Sequence, residues 1–219
     1  MSEGNKSLQR FSLIVFGIIL LYGILRLHVF AGLPWSELPL YTFNKALAWG
    51  ALNFIGLSFA ASIYRFFEAD KFREMIYTSA FMLQTGFFLL ILHVGISFLL
   101  LTVGYFPELI DYKGTLTAKA TISLFAAAVA SVLLLFYFLR AKDHSFVSAF
   151  SGFTQKLYFP PVLLLLILVH PFFMGFDNWF QNMSQAGYLP RISFLAVLDG
   201  FSVLLLVVFL SLKAWRSKQ

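Results

Sequence analysis

Residues 11–30 read FSLIVFGIILLYGILRLHVF, a run of 20 residues whose only formal charge is that of Arg26. A helix needs about 20 mostly apolar residues to cross the roughly 30 Å of hydrocarbon in a bilayer. The run therefore predicts a membrane-spanning helix. A cleaved signal peptide is the alternative, but the charge inside the run and the lack of a small-residue cleavage site after it argue against that interpretation.

Five more runs of similar length and composition follow, at about 46–64, 76–103, 116–139, 157–176 and 191–212. Together the runs predict an all-α integral membrane protein, a bundle of six transmembrane helices over residues 11–212 with short tails at 1–10 and 213–219. The composition agrees with this fold class, since 60% of the residues are hydrophobic and 12% are charged. Soluble domains are only about 45–50% apolar and about 25% charged.

Several classes of function are excluded by what the sequence lacks. There is no cysteine, so disulfide scaffolds, thiolate-ligated iron–sulfur clusters and zinc fingers are ruled out. No Gly-rich phosphate loop or dinucleotide fingerprint occurs, so nicotinamide or flavin chemistry would need a partner chain. The formal net charge is +6, but the basic residues flank apolar runs, which is typical of a membrane protein and not of a nucleic-acid binder.

The distribution of Lys and Arg predicts the orientation, because cytoplasmic loops are enriched in these residues. With a cytoplasmic N-terminus, the inner side holds eleven of them: Lys6, Arg10, Arg65, Lys71, Arg73, Arg140, Lys142, Lys156, Lys213, Arg216 and Lys218. The outer side then holds five: Arg26, Lys45, Lys113, Lys119 and Arg191. Both termini are therefore predicted to be cytoplasmic.

Histidines inside the apolar runs are the candidates for chemistry, since ionisable side chains at membrane depth are costly and mark functional sites. His93 lies in FFLLILHVGISFLLL and His170 in VLLLLILVHPFF. In the predicted topology both helices run outward, and a rise of 1.5 Å per residue places the imidazoles roughly 14 Å and 9 Å below the outer boundary. His28, at the outer end of the first helix, is predicted to reach the headgroups, and His144 in an inner loop is predicted to be solvated.

Two imidazoles at similar depth can serve as the axial ligands of a b-type haem. With both axial positions filled, the iron favours electron transfer over oxygen activation. The alternative is that each histidine bonds to a neighbouring carbonyl or hydroxyl group, as polar side chains in membrane helices commonly do. Zinc is disfavoured, because two histidines without a third ligand cannot complete a tetrahedral site.

Four segments, in order, resemble the ferric reductase-like transmembrane domain, the haem b module of ferric reductases and NADPH oxidases. They are NKALAWGALNFIGLSFAASIY (44–64), FFLLILHVGISFLLLTVGYFPEL (87–109), KGTLTAKATISLFAAAVASVLL (113–134) and TQKLYFPPVLLLLILVHPFFMGFDNW (154–179). The resemblance covers about 44–179 and is greatest to short bacterial members that lack a flavin and nicotinamide domain.

This resemblance implies one haem b in a multi-pass protein of the cell membrane, for a bacterium the inner membrane. The iron ligands carried over by position are His93 and His170. Larger members have a second histidine on each of these helices and hold two haems. A second haem is not expected here, because the corresponding positions hold other residues: Ser79, Phe106 or Pro107, Lys156, and Met183 or Ser184.

Other polar residues carry weaker predictions. Candidates to meet haem propionates by charge-assisted hydrogen bonds, with ordinary snorkelling as the alternative, are Arg26, Lys113, Lys119 and Arg191. Asp199 is about nine residues into the sixth run, where an acid is predicted to take up protons or to pair with Arg191 or Arg26. Asn53 and Gln84 are predicted to form interhelical hydrogen bonds.

Two hypotheses of function remain open at this stage. In the first, the chain is a haem b electron-transfer protein, an enzyme or a subunit of one, with a quinol or a separate flavoprotein reductase as donor and a periplasmic protein, metal ion or small molecule as acceptor. A haem in the outer half leaves a gap to the cytoplasmic face, which favours the quinol. In the second, the chain is a haem-free bundle for assembly, anchoring or transport, and its buried histidines only pack.

Overall fold

The computed structural model describes residues 3–64, 72–101, 106, 109–141, 158–180 and 189–216. Within these residues the regular elements are helices, and the one β pairing is an isolated bridge between Ile110 and Leu116. The six long helices are α1 (Glu3–Ile24), α2 (Phe43–Tyr64), α3 (Phe72–Leu100), α4 (Ala118–Ala141), α5 (Phe159–Gly175) and α6 (Ile192–Arg216). His144 lies outside the described residues.

Each predicted apolar run coincides with one of these helices. Five spans are long and apolar enough to cross a membrane, and they are Lys6–Phe30, Trp35–Tyr64, Tyr77–Leu100, Ala118–Leu139 and Ile192–Arg216. The first span includes a π-helical turn, Leu25–Phe30, after α1, and the second includes another, Leu38–Thr42, before α2. α5 is shorter, at 17 residues, with prolines in its first turn. The helical, multi-pass membrane architecture is thereby supported.

α2 and α3, which are consecutive along the chain, run in opposite directions. Ser58 bonds to Ser79 near one end of this pair, and Asn44 bonds to Ser97 near the other. The two backbones approach closely between these contacts. A Cβ atom added to Gly86 would lie 2.9 Å from the backbone nitrogen of Ile55, so only glycine permits this crossing.

The remaining packing places α6 beside α2 and α5 beside α4. The Trp49 indole of α2 bonds to Asp199 of α6, and the rings of Tyr137 and Phe159 stack between α4 and α5 at 5.6 Å. α2 therefore lies at the centre of the bundle, and the side chains along it contact most of the functional candidates described below.

The two halves of the bundle differ in polarity. The half that contains Tyr64, the start of α5 and the end of α6, here called the apolar half, is filled by a buried cluster that includes Phe59, Ile63, Leu134, Phe159, Leu163, Val207 and Ala214. The other half, here called the histidine half, contains His28, His93 and His170. In a bilayer such a cluster is stabilised by van der Waals packing between the helices, because lipid tails are as apolar as its side chains.

Candidate functional site

His93 on α3 and His170 on α5 lie in one cavity. Their ring centroids are 6.3 Å apart, and the ring planes are inclined at 62°. Both side chains line a cavity of about 320 Å³, here called the histidine cavity, which is within the range of about 300–1,000 Å³ that small-molecule sites occupy. Residues that are 77 positions apart in the sequence thus share one surface.

The Nδ1 atom of His93 faces oxygen atoms of α2. It lies 3.1 Å from the backbone oxygen of Asn44 and 2.8 Å from Oδ1 of the same residue. A carbonyl oxygen only accepts hydrogen bonds, so Nδ1 carries the hydrogen and donates it. The amide group of Asn44 in turn donates from Nδ2 to Ser97 Oγ at 3.0 Å, which keeps Oδ1 directed at the imidazole.

The Nδ1 atom of His170 is held by α4 in an analogous way. It lies 2.8 Å from Oγ of Ser123, and the same hydroxyl group donates its hydrogen to the backbone oxygen of His170 at 3.2 Å. A hydroxyl has a single hydrogen. In the tautomer in which that hydrogen points at the carbonyl, Ser123 accepts from the imidazole and Nδ1 of His170 is also the protonated nitrogen.

In this tautomer both imidazoles present an unprotonated Nε2 atom. Within the part of the chain that the structure describes, Nε2 of neither histidine has a hydrogen-bond partner. A neutral imidazole with Nδ1–H bonded to an oxygen and Nε2 free is the arrangement that metal-ligating histidines adopt.

The spacing of the rings also suits a shared metal ion. A metal–imidazole bond is about 2.0 Å long, so two imidazoles on opposite sides of one ion have ring centroids roughly 6 Å apart. The observed 6.3 Å meets this requirement. No cluster of three or more His, Cys, Asp or Glu suited to a metal ion occurs among the described residues.

One wall of the histidine cavity is cationic. Arg26, Lys45 and Arg191 line it, and no acidic side chain does so within the described residues. Nε of Arg191 is buried without a hydrogen-bond partner there, and Lys45 Nζ lies 4.2 Å from the centroid of the Tyr41 ring. A buried guanidinium nitrogen without a partner, as at Arg191, is costly, so this wall is suited to an anionic ligand group such as a carboxylate.

Two of the basic residues predicted to meet propionates do not line this cavity. Lys119 pairs with Asp177 at the exposed surface, and Lys113 Nζ lies 5.5 Å from the centroid of the neighbouring Tyr112 ring. For these two residues the prediction is wrong, because both are exposed, Lys113 in the connection between α3 and α4 and Lys119 in the first turn of α4. The sequence analysis used Lys45 only for topology and did not single it out as a site residue.

The prediction that His28 reaches the headgroups is also wrong. The residue is 6% exposed. Its Nδ1 donates to the backbone oxygen of Leu33 at 2.9 Å, and its Nε2 accepts from Thr42 Oγ1 at 2.8 Å. The ring stacks on Trp35 at 4.8 Å. Because both nitrogens are used, His28 ties the π-helical turn after α1 to the one before α2 and has no free atom for a metal.

Asp199 pairs with neither arginine proposed for it. Its Oδ2 atom accepts a hydrogen bond from Trp49 Nε1 at 2.9 Å, and it lines a different cavity from the two histidines. Asn53 was expected to bond between helices but donates to the backbone oxygen of Trp49 within α2. Gln84 is exposed.

The residues that orient the two histidines escaped prediction. Asn44 and Ser123 are buried polar side chains, and each lies on a helix without a candidate ligand of its own. The only signal for them was their position in the segments that carry the family resemblance. Small hydroxyl and amide side chains are common at helix contacts in membranes, so composition alone does not distinguish these two.

The two comparisons with known proteins identify no relative of the chain. A scan against protein-family models and a search of curated proteins both find no match to the chain.

Proposed function

We propose that the chain is a haem b protein that transfers single electrons within the cell membrane, as its resemblance to the ferric reductase-like transmembrane domain implies. One observation carries the proposal. The imidazoles of His93 and His170 lie 6.3 Å apart in one cavity, each held through Nδ1 and each with an Nε2 atom that has no partner among the described residues.

The residues of the cavity divide into three roles in this proposal. His93 and His170 would hold the iron through Nε2, while Asn44 and Ser123 fix the tautomer and orientation of the two rings. Arg26, Lys45 and Arg191 would bind the propionates by charge-assisted hydrogen bonds. A bound haem supplies a one-electron iron couple, and two imidazole ligands leave no iron position open to oxygen.

A single haem is proposed for each chain. Ser79 on α3 stands where larger members of the family carry a second ligand. Its hydroxyl group is within hydrogen-bond distance of both Ser58 and Ser62, in a small hydroxyl cluster between α2 and α3. The hydroxyl group of Ser79 is therefore hydrogen-bonded inside the bundle, and serine has no nitrogen in its side chain to bind a metal.

We also propose six spans with both termini in the cytoplasm, in a bacterial inner membrane. The basis is the excess of Lys and Arg at the ends assigned to the inner side and the opposite directions of α2 and α3. α5 is the shortest span, and with the 3₁₀ turn that follows it, Phe176–Asn178, it covers 20 residues. That length suffices for a bilayer of about 30 Å. In this topology the histidine half faces the periplasm.

The position of the two histidines favours a donor that approaches through the membrane. His170 is five residues from the end of α5 and eleven from its beginning, which corresponds to roughly 8 Å and 16 Å along the helix. The intervening residues belong to the apolar half. A lipid-soluble quinol reaches this depth, whereas a separate flavoprotein reductase at the cytoplasmic surface would transfer electrons across the apolar half. The acceptor is proposed to be a periplasmic protein, metal ion or small molecule.

The haem-free bundle predicts that both histidines contact carbonyl or hydroxyl groups, and they do, through Nδ1. It gives no reason for two Nε2 atoms without partners in the same cavity, or for the cationic wall beside them. For this reason the electron-transfer function is preferred.

The test is a reduced-minus-oxidised absorption spectrum of the purified, haem-supplied protein. We expect a low-spin b-type spectrum that is lost in His93→Ala and in His170→Ala and retained in His28→Gln, the matched control for a buried histidine outside the cavity. Helicity by circular dichroism identifies variants that fail to fold, and added imidazole should restore the spectrum to a folded His93→Gly variant. A featureless spectrum from folded native protein, or spectra unchanged in both alanine variants, would refute the proposal.

A further inference from the structure

A second cavity shares Trp49 with the histidine cavity. It is a shallow, open hollow formed by α1, α2 and α6, with the lining residues Val15, Ile18, Ile19, Trp49, Asn53, Leu195, Leu198, Asp199 and Ser202. We call it the Asp199 cavity. Ile18 and Leu198 are 62% and 54% exposed, and both belong to predicted membrane spans, so the cavity opens toward the lipid.

The polar groups of this cavity are incompletely used by the protein. Asp199 lies seven residues into α6, roughly 10 Å from its beginning. Oδ2 accepts from Trp49 Nε1, but Oδ1 has no partner within the described residues. Asn53 donates from Nδ2 to the backbone of Trp49, and its Oδ1 likewise has no partner there. Two acceptor oxygens that lie at membrane depth without hydrogen-bond donors are costly, unless a ligand supplies the donors.

A ligand that satisfies these groups has a definable chemistry. It must dissolve in the membrane, because the opening faces lipid. It must carry hydroxyl donors for the two oxygens and a flat apolar body that fits beside the Trp49 ring and the aliphatic wall. A quinol has all of these properties.

We infer that the Asp199 cavity is a quinol-binding site in which Asp199 and Asn53 accept hydrogen bonds from the quinol hydroxyl groups. Trp49 lines this cavity and the histidine cavity, so the bound quinol and the proposed haem would both lie beside this residue. The role of the site as the electron entry point rests on the proposed function. The quinol binding itself does not rest on the proposed function, because neither His93 nor His170 lines this cavity.

The test is calorimetric titration of decylubiquinol, kept reduced, into the detergent-solubilised protein. We expect Asp199→Asn to weaken binding about tenfold, the loss of one hydrogen bond to a carboxylate, and Leu198→Trp to abolish binding by filling the cavity. Asp177→Asn, an exposed aspartate that lines neither cavity, is the matched control and should bind like the native protein. Decylbenzene, which has the same tail and no hydroxyl group, should not bind measurably.

A second titration separates this inference from the proposed function. The His93→Ala, His170→Ala double variant, which cannot hold haem by the proposed ligands, should bind decylubiquinol with native affinity. Native affinity in both Asp199→Asn and Leu198→Trp, or equal binding of decylbenzene, would overturn the inference even if the haem spectrum is present. Quinol binding in a native protein that shows no haem spectrum would refute the proposed function and leave the binding site standing.

Discussion

Replacing Ser123 with alanine is expected to weaken haem binding by ten- to a hundredfold. Ser123 is fully buried and makes the only described contact to Nδ1 of His170, at 2.8 Å. The alanine leaves that N–H group buried without an acceptor, which costs about 1–3 kcal/mol. Each 1.4 kcal/mol corresponds to about a factor of ten in affinity, and loss of a hydrogen bond behind a metal-ligating histidine typically weakens binding by about 10–100-fold.

The assay is titration of haem into haem-depleted protein, followed by the absorption of the bound form. Ser131→Ala is the matched control, because Ser131 is on the same helix and lines the same cavity but has no hydrogen bond to either histidine. Ser123→Thr keeps the hydroxyl group and should restore most of the affinity. If Ser123→Ala binds haem as tightly as Ser131→Ala, the hydrogen bond does not orient a ligand and the positioning role of Ser123 is refuted.

Three further predictions concern other parts of the chain. Gly86→Ala should lower the free energy of unfolding by about 1 kcal/mol, because the added Cβ would meet the backbone of α2 at 2.9 Å and this overpacking outweighs the gain in helix propensity. The control variant Gly95→Ala, whose Cβ would have nothing within 4 Å, should be neutral or stabilising. Equal effects of the two variants in denaturant unfolding would contradict the close crossing of α2 and α3. Arg191→Gln should weaken haem binding at least about tenfold through the loss of a charge-assisted hydrogen bond, and unchanged affinity would remove Arg191 from the site. The backbone and side-chain hydrogen bonds from Thr115 hold the pKa of Asp111 below its ordinary value of 3.8. The turn at 111–115 should therefore be stable above pH 3.8 and should weaken as the pH falls through the lowered pKa of Asp111. An NMR titration of the Thr115 amide with a midpoint at or above pH 3.8 would contradict this prediction.

The helices could be predicted from sequence because apolar length is a local property. The run at 11–30 identifies its span without reference to any other segment, and the same holds for the five later runs. The bilayer restricts the conformations of a long apolar segment so strongly that hydropathy and length suffice. Helix ends were less predictable, because the π-helical turn Leu25–Phe30 depends on the contact of His28 with Thr42 across the loop.

The partners of polar side chains could not be predicted, because they depend on which helices are neighbours. Asp199 was expected to meet an arginine, but α6 packs on α2 in a register that brings Trp49 to it. Lys119 was considered for the site, but the exposed Asp177 is within reach of its long side chain. Charge and depth can be derived from the sequence, whereas the face that a residue presents is decided by helix packing.

The apolar half of the bundle has an electrical consequence. Residues such as Phe59, Leu163 and Val207 form a slab of low dielectric constant, and a transmembrane voltage falls mainly across such a slab. Moving one elementary charge through the full voltage changes its energy by about 2.3 kcal/mol per 100 mV. In the proposed function, an electron that enters from the Asp199 cavity and stays in the histidine half would cross little of that voltage, so its transfer should proceed at nearly the same rate in energised and de-energised cells.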